Sequence, residues 1–384
     1  MDNSSKLLFI YLDNLTPVDS GSKKLSVELL KYLSRNNVQL DLFYCFHKKE
    51  NDSSLDNYLN KIYSIKNPLS NIILKIVNKC LNFFSLTPYT KDKIFKRCIK
   101  KKLTPIIDDY DIVLLHYVKN INVLPKSVLK KSIVFTHDLY FNRYRSLNNK
   151  GLISETLAKL YENVEVSIIR KFAISLVVTD QEQKLLTPYL DPKKILNVGA
   201  PFSVEKCNYK DWDYTFLFVG SNFDQNIEAL RNFIDNYFKH LSSVKLLVVG
   251  NICNSIYVRS LSSKFSNVDT LGYVKDLKPL YESSQFVLAT LVYGSGIKLK
   301  VLEAMAHGAC VIASNVALEG ISAVHMQDLI NIDKVDNIEK IIEQYSDRER
   351  WLAMSLKAQK FISNNFSEER LFKPLLNVIN NQFS

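Results

Sequence analysis

The chain is 384 residues long, enough for two domains that each bury a core of their own. Hydrophobic residues make up 47% and charged residues 23%, which excludes a wholly disordered chain. The net charge of +11 suits anionic partners, whether nucleic acid, anionic lipid or small substrates, and no nucleic-acid-binding motif accompanies it.

No apolar run reaches membrane-spanning length, and MDNSSKLLFIYLDNL lacks the basic start and long apolar stretch of a signal peptide. The six cysteines form no C-x-x-C pair and no metal-ligand spacing with histidine, which predicts thiols in a reducing cytosol.

Lys6 to Leu12 has the apolar pattern of a strand. The loop over 16–22, which contains Gly21, leads into an amphipathic helix with Leu25, Leu29, Leu30 and Leu33 inward. Leu40 to Cys45 is the next strand, so the chain opens as a doubly wound sheet would. Over 71–103, Ile72, Ile73, Ile76 and Val77 are interspersed with Lys75 and Lys79, and KDKIFKRCIKKK follows. This stretch is either a patch that lies on anionic lipid or a pair of ordinary helices with solvated basic faces.

Asp111 to His116 and Ser132 to Thr136 read as buried strands, the second ending at His137 and Asp138. A histidine just past a strand's carboxyl end stands where the sites of open α/β sheets gather, with a pKa suited to orienting or exchanging protons. A satisfied structural histidine fits the same pattern. Arg143 and Arg145 follow, within reach of an anionic acceptor. Leu152 to Phe172 is helical in pattern, Ser175 to Thr179 is a strand, Asp180 opens a helix, and Ile195 to Phe202 forms a last strand and turn.

The polar stretch 206–213 reads as a linker. Thr215 to Val219 then starts a second set of elements, with Gly220, Ser221 and a helix carrying Ile227, Leu230, Phe233 and Ile234. Val244 to Gly250, Val268 to Leu271 and a short helix over 277–283 follow.

Residues 285–313 form a complete strand, loop, helix and strand: Phe286 to Leu291, Tyr293-Gly294-Ser295-Gly296, a helix through Ile297, Val301, Leu302 and Met305 that ends at Gly308, and Cys310 to Ala313. Free amides at such a helix start suit a phosphate, Lys298 and Lys300 add charge, and Glu303 offers a carboxylate to sugar hydroxyls. Read blandly, Lys300 and Glu303 are only a surface pair. Ile338 to Lys360 is helical in pattern, and Ser367 is placed to cap a final helix. The D-x-D pairs Asp109/Asp111 and Asp211/Asp213 precede strands, so they read as caps or linker and not as a metal site.

The run GSGIKLKVLEAMAHGACVIAS, followed by Glu319-Gly320-Ile321, resembles the donor-sugar segment of glycosyltransferase family 4. The resemblance implies an α/β chain of GT-B type, two facing Rossmann-like domains with a cleft between them. It implies that Glu303 holds the nucleotide ribose, while Ser295 stands where relatives carry a first glutamate. Gly21 matches a loop glycine that faces the donor diphosphate, and His137 matches the family's N-domain histidine. Relatives carry an Arg and a Lys after the strand that Gly220-Ser221 follows here, where neither is found; Lys298 is the candidate replacement.

The expected domains are 1–204, completed by a crossover helix over 361–384, and 205–360. The expected activity is transfer of a sugar, with retention, from a nucleotide-diphosphate sugar to a glycan or lipid-linked acceptor. The assigned donor side is Gly21, Gly220, Ser221, Gly294, Ser295, Gly296, Ile297, Lys298 and Glu303, with His137 and Lys298 catalytic and Asp138 and Arg143 toward the acceptor. No metal or other cofactor is expected, and no nucleic acid. A cytoplasmic protein, peripheral on an anionic membrane, is the expected setting. A sugar-nucleotide epimerase and a catalytically silent binding subunit share the architecture and stay as alternatives.

Overall fold

The computed structural model describes residues 5–15, 20–46, 54–70, 72–83, 89, 91–147, 152–207, 211–241, 243–294 and 297–382. The chain divides into two compact units, Met1–Pro201 with Glu368–Ser384, and Phe202–Ser367.

In the first unit β1 (Lys6–Tyr11), α1 (Gly21–Arg35), β2 (Gln39–Phe46) and β3 (Lys61–Lys66) are followed by α2 (Ile72–Phe83), α3 (Lys93–Leu103), β4 (Ile112–His116) and β5 (Ser132–Phe135). Then come α4 (Tyr140–Leu147), α5 (Leu152–Ile169), β6 (Ile174–Val177), α6 (Asp180–Leu186) and β7 (Ile195–Asn197). The seven strands are all parallel in the order β3-β2-β1-β4-β5-β6-β7.

The second unit runs β8 (Tyr214–Val219), α7 (Asp224–Asn236), β9 (Leu246–Val249), α8 (Ile256–Arg259), α9 (Leu261–Lys264), β10 (Val268–Leu271) and α10 (Lys278–Glu282). It continues through β11 (Ser284–Ala289), α11 (Leu299–Ala306), β12 (Cys310–Ala313), β13 (Ile330–Asn331), α12 (Ile338–Gln344) and α13 (Arg348–Asn365). Its six strands are parallel in the order β10-β9-β8-β11-β12-β13.

The central strands IVLLH, SIVF, ISLV, LLVV, SQFVLA and CVIA are buried at every position, as parallel strands covered on both faces must be. β3, KIYSIK, lies at the sheet edge with mostly exposed side chains; only Tyr63 and Ile65 pack against the core. Leu25, Leu29, Leu30 and Leu33 of α1 are buried as expected. The single helix expected over 338–360 is two, because Asn337 and Asp347 each cap a separate start with their side chains.

The expected crossover segment from 361 begins inside α13, and the helix break falls at Phe366–Ser367. α14 (Glu368–Gln382) then completes the first unit. Tyr32 of α1 donates to Glu369 at 2.8 Å, Arg35 pairs with Glu368 at 2.7 Å, and the rings of Tyr32 and Phe372 meet edge to face. A β-carbon on Gly199, whose φ is +53°, would stand 2.7 Å from Leu371, so glycine lets α14 seat against the end of β7.

Candidate functional site

In each sheet the strand order reverses once, and ligands of open α/β sheets bind beyond the carboxyl ends of the two strands at that point. In the second unit these are β8 and β11, neighbours in register from Phe216 with Phe286 to Phe218 with Leu288. The assigned donor residues leave the sheet there. Gly220 and Ser221 follow β8, and Gly294 to Lys298 lie between β11 and α11; Ser295 and Gly296 are outside the described residues.

The turn after β8 is closed by backbone packing. A β-carbon at Gly250, at φ +104°, would stand 2.4 Å from the Gly220 carbonyl oxygen, so the turn after β9 has to be glycine. At the start of α7, the amide nitrogen of Asn226 donates to the Ser221 carbonyl and to its hydroxyl, both at 3.0 Å. The same side chain's oxygen accepts from Lys300 Nζ at 3.2 Å, and that ammonium lies 5.2 Å from the centre of the Phe218 ring. Burial, and then the neighbouring Lys298, push the Lys300 ammonium down to about 8. Lys300 is therefore not a surface charge; it reaches Asn226 in the first turn of α7.

Lys298 is the residue before α11, where its side chain makes no capping hydrogen bond, and it is largely covered, with its Nζ 3.7 Å from Glu319. A β-carbon on Gly294 would meet the Lys298 stem at 3.7 Å and Gln225 of α7 at 3.8 Å, so this turn, the lysine and the start of α7 converge. Two lysines and the open end of α7 thus share one crevice, a setting that can neutralise a diphosphate. α11 starts at Leu299, so Glu303 sits about one turn in and not two. Glu303 neighbours the buried Tyr281, whose hydroxyl is held up by burial and then by that carboxylate. Ile297 is partly buried beside the crevice loop. Gly308 ends α11 at φ +74°, with Cys207 Sγ 2.8 Å from where a β-carbon would lie.

In the first unit the reversal lies between β1 and β4. Gly21 is the first residue of α1 and not a loop residue, Ser20 being the position before it. His137 follows β5 with φ +58° and Tyr117 follows β4 with φ +66°, a left-handed conformation uncommon outside glycine. The His137 ring stacks on Phe135 at 3.7 Å and lies 4.3 Å from His116, and its Nε2 is 3.5 Å from Ser26 Oγ.

Burial pushes His137 down to about 3, and burial, then His137 and Lys119, hold His116 well below the ordinary histidine range. This differs from the expectation of a histidine titrating near neutrality: burial keeps the His137 ring neutral. The loop it begins is pinned by two buried carboxylates. Glu182 accepts from the amides of Leu139 and Val178, and Glu165 accepts from that of Phe141. Desolvation raises both carboxyls to about 7.

Asp138 is partly exposed within this loop. Arg143 lies in α4, its side chain outside the described residues. Arg145 is committed to Glu162 at 2.8 Å and to the Phe141 ring, which removes it as an acceptor cation.

The family described as Glycosyl transferases group 1 matches residues 213–347, the segment that builds the β8/β11 crevice. Anabaena Alr3699/HepE, solved in complex with UDP and glucose, superposes with a TM-score of 0.65 at 13% identity over 98% of this chain and 99% of that one. TarM gives 0.71 at 12% identity over 99% and 100%. The fold is GT-B. A curated relative from Klebsiella pneumoniae, described as an uncharacterized 44.6 kDa protein in the cps region, is 22% identical over 97% of this chain and 99% of its own length. The group 1 match and the GT-B likenesses together support a glycosyltransferase.

Local pattern did not reveal everything in this GT-B chain. His116 carried the same signal as His137, a histidine at a strand's carboxyl end, and was read as structural; its ring lies 4.3 Å from that of His137. Asn226 had no motif of its own; its five-residue spacing from Ser221 across a helix start was the available sign.

Proposed function

We propose that this protein is a retaining, metal-independent glycosyltransferase of family 4. It moves a sugar from a nucleotide-diphosphate sugar to a glycan or lipid-linked acceptor during cell-surface polysaccharide assembly. The observation that carries the reading is the convergence of Gly220, Ser221, Gly294, Lys298 and Lys300 at the β8/β11 switch point, inside the segment that matches group 1 glycosyl transferases.

In this reading the lysines and the α7 amides meet the negative charge that grows on the departing diphosphate, and Glu303 takes the ribose hydroxyls. His137 orients the transferred sugar or acceptor as a neutral ring. The UDP and glucose bound to Alr3699/HepE support a uridine nucleotide as donor, and the cps-region relative supports a polysaccharide product.

Contact with an anionic membrane is supported by α2, where Ile73, Ile76 and Val77 are 71%, 58% and 43% exposed beside exposed Lys75 and Lys79. Among the described residues no helix is long and apolar enough to cross a membrane. Lys96, expected in the basic patch, turns inward and does not belong to it. The deciding experiment supplies UDP-sugars with and without a polysaccharide precursor and follows free UDP. Release that depends on acceptor supports transfer; release or epimerisation without acceptor replaces it.

A further inference from the structure

Beyond the carboxyl ends of β1 and β4 lies a cavity of about 620 Å³, lined by Ser20 and Ser22 on either side of the donor-assigned Gly21 and by charged residues given no role so far. Its charged lining is Lys23, Lys96 and Lys119 against Asp13 and Asp92, so cations exceed carboxylates, and His116 lines the same space. Lys96 is 4% exposed, and among the described residues its ammonium makes one hydrogen bond, to the Tyr89 carbonyl at 3.2 Å. The neighbouring Asp92 carboxylate accepts from Asn78 at 2.8 Å. Lys119 stands 5.0 Å from the centre of the Tyr117 ring, with no ion pair among the described residues. His116 is 2% exposed, and its Nε2 has no hydrogen-bond partner among the described residues.

A buried ammonium with donors to spare and a buried ring nitrogen with no partner among the described residues are costly to leave unsatisfied. An anion with several oxygens would satisfy both. We propose that this cavity is a subsite for an anionic group, a phosphate or carboxylate carried by the acceptor, held by Lys96, Lys119 and His116. The assignment to an acceptor rests on the glycosyltransferase reading; the anion subsite itself does not. Burial holds the Lys96 ammonium down at about 8 despite the pull of Asp92, with Lys119 adding to the fall, so a bound anion would favour its charged form.

Isothermal calorimetry on the full chain, first saturated with UDP so that the donor crevice is occupied, tests this with inorganic phosphate and with glucuronate. Binding of at least one probe, weakened tenfold or more in both Lys96→Met and Lys119→Gln with UDP affinity unchanged, is expected. Phosphate binding alone assigns a phosphorylated acceptor, and glucuronate alone an acidic sugar. Lys96→Met should melt at or above the wild-type temperature, since it removes a desolvated charge; should it fail to fold, the partly exposed Lys119→Gln decides. No binding by either probe, or binding that Lys119→Gln leaves intact, overturns the subsite. Failure of UDP to bind the unmodified protein would instead strike the donor reading.

Discussion

The ammonium of Lys300 and the amide oxygen of Asn226, 74 residues apart, meet at 3.2 Å across the carboxyl ends of β8 and β11. Through the other end of the same amide Asn226 also holds Ser221, so one side chain ties the β8 turn to the helix that follows β11. Asn226→Ala should release both. A loss of roughly 1–2 kcal/mol in stability and about tenfold in UDP affinity is expected, from the hydrogen bonds removed. Denaturant melts with parallel calorimetry check it, and full UDP affinity in a destabilised variant would leave Asn226 as scaffold only.

Lys298 and Glu303 separate the two stages of donor use. Lys298→Ala should lower kcat more than it lowers the melting temperature, because its charge acts where the leaving diphosphate develops charge. Glu303→Gln should weaken donor binding by roughly 1–3 kcal/mol, as expected for losing a charged hydrogen-bond partner. Steady-state kinetics beside UDP-sugar calorimetry reads both, and unaltered donor binding in Glu303→Gln would remove the ribose role.

His137 makes the first unit sensitive to acid. Its folded pKa, about 3, is below the ordinary 6.5, so the folded chain resists taking up a proton that the unfolded chain accepts. The stability it contributes is complete above pH 6.5 and is lost as the pH falls toward 3. Urea unfolding between pH 7 and pH 4 should show a falling midpoint, and His137→Asn should flatten that slope. An unchanged slope in the variant would assign the acid sensitivity to other groups.

The α2 face predicts a salt-dependent membrane affinity. Sedimentation with anionic vesicles should fall steeply as salt rises, and neutral vesicles should bind poorly. Ile73→Ser with Ile76→Ser should abolish sedimentation, as should exchanging Lys75, Lys79, Arg97, Lys101 and Lys102 for Gln. UDP binding should survive both sets. Equal sedimentation with neutral and anionic vesicles, or none with either, would leave a soluble acceptor as the better reading.

What the sequence made legible was what local pattern encodes. Aliphatic runs such as Ile112–His116 and Cys310–Ala313 are strands because two-sided burial demands them, and the reading of two α/β units followed from their alternation with helices. Edge strand β3 was missed because it is a short edge strand in which only Tyr63 and Ile65 turn inward, between lysines at both ends, and so lacks the continuous aliphatic run of the central strands. Lys96 was misread as a surface charge although Phe95, Ile99 and Leu103 place it on the inward stripe of α3. The helical phase was there to read, and the residue's charge obscured it. The pairing of His116 with His137 needed the order of the strands, which places β4 beside β5. Contacts like that between Asn226 and Lys300 depend on long-range topology and leave no trace in a short window of sequence.

The docking of α14 against Tyr32, Arg35 and Gly199 has a consequence for biosynthesis. The first unit, begun at β1, lacks its last helix until everything in the second unit has been made. As the chain leaves the ribosome, the intervening unit is therefore the first to have all its parts, while the seat for Phe372 and Leu375 waits uncovered. A nascent chain halted before Glu368 would present that apolar seat to chaperones, with an intact second unit already folded behind it.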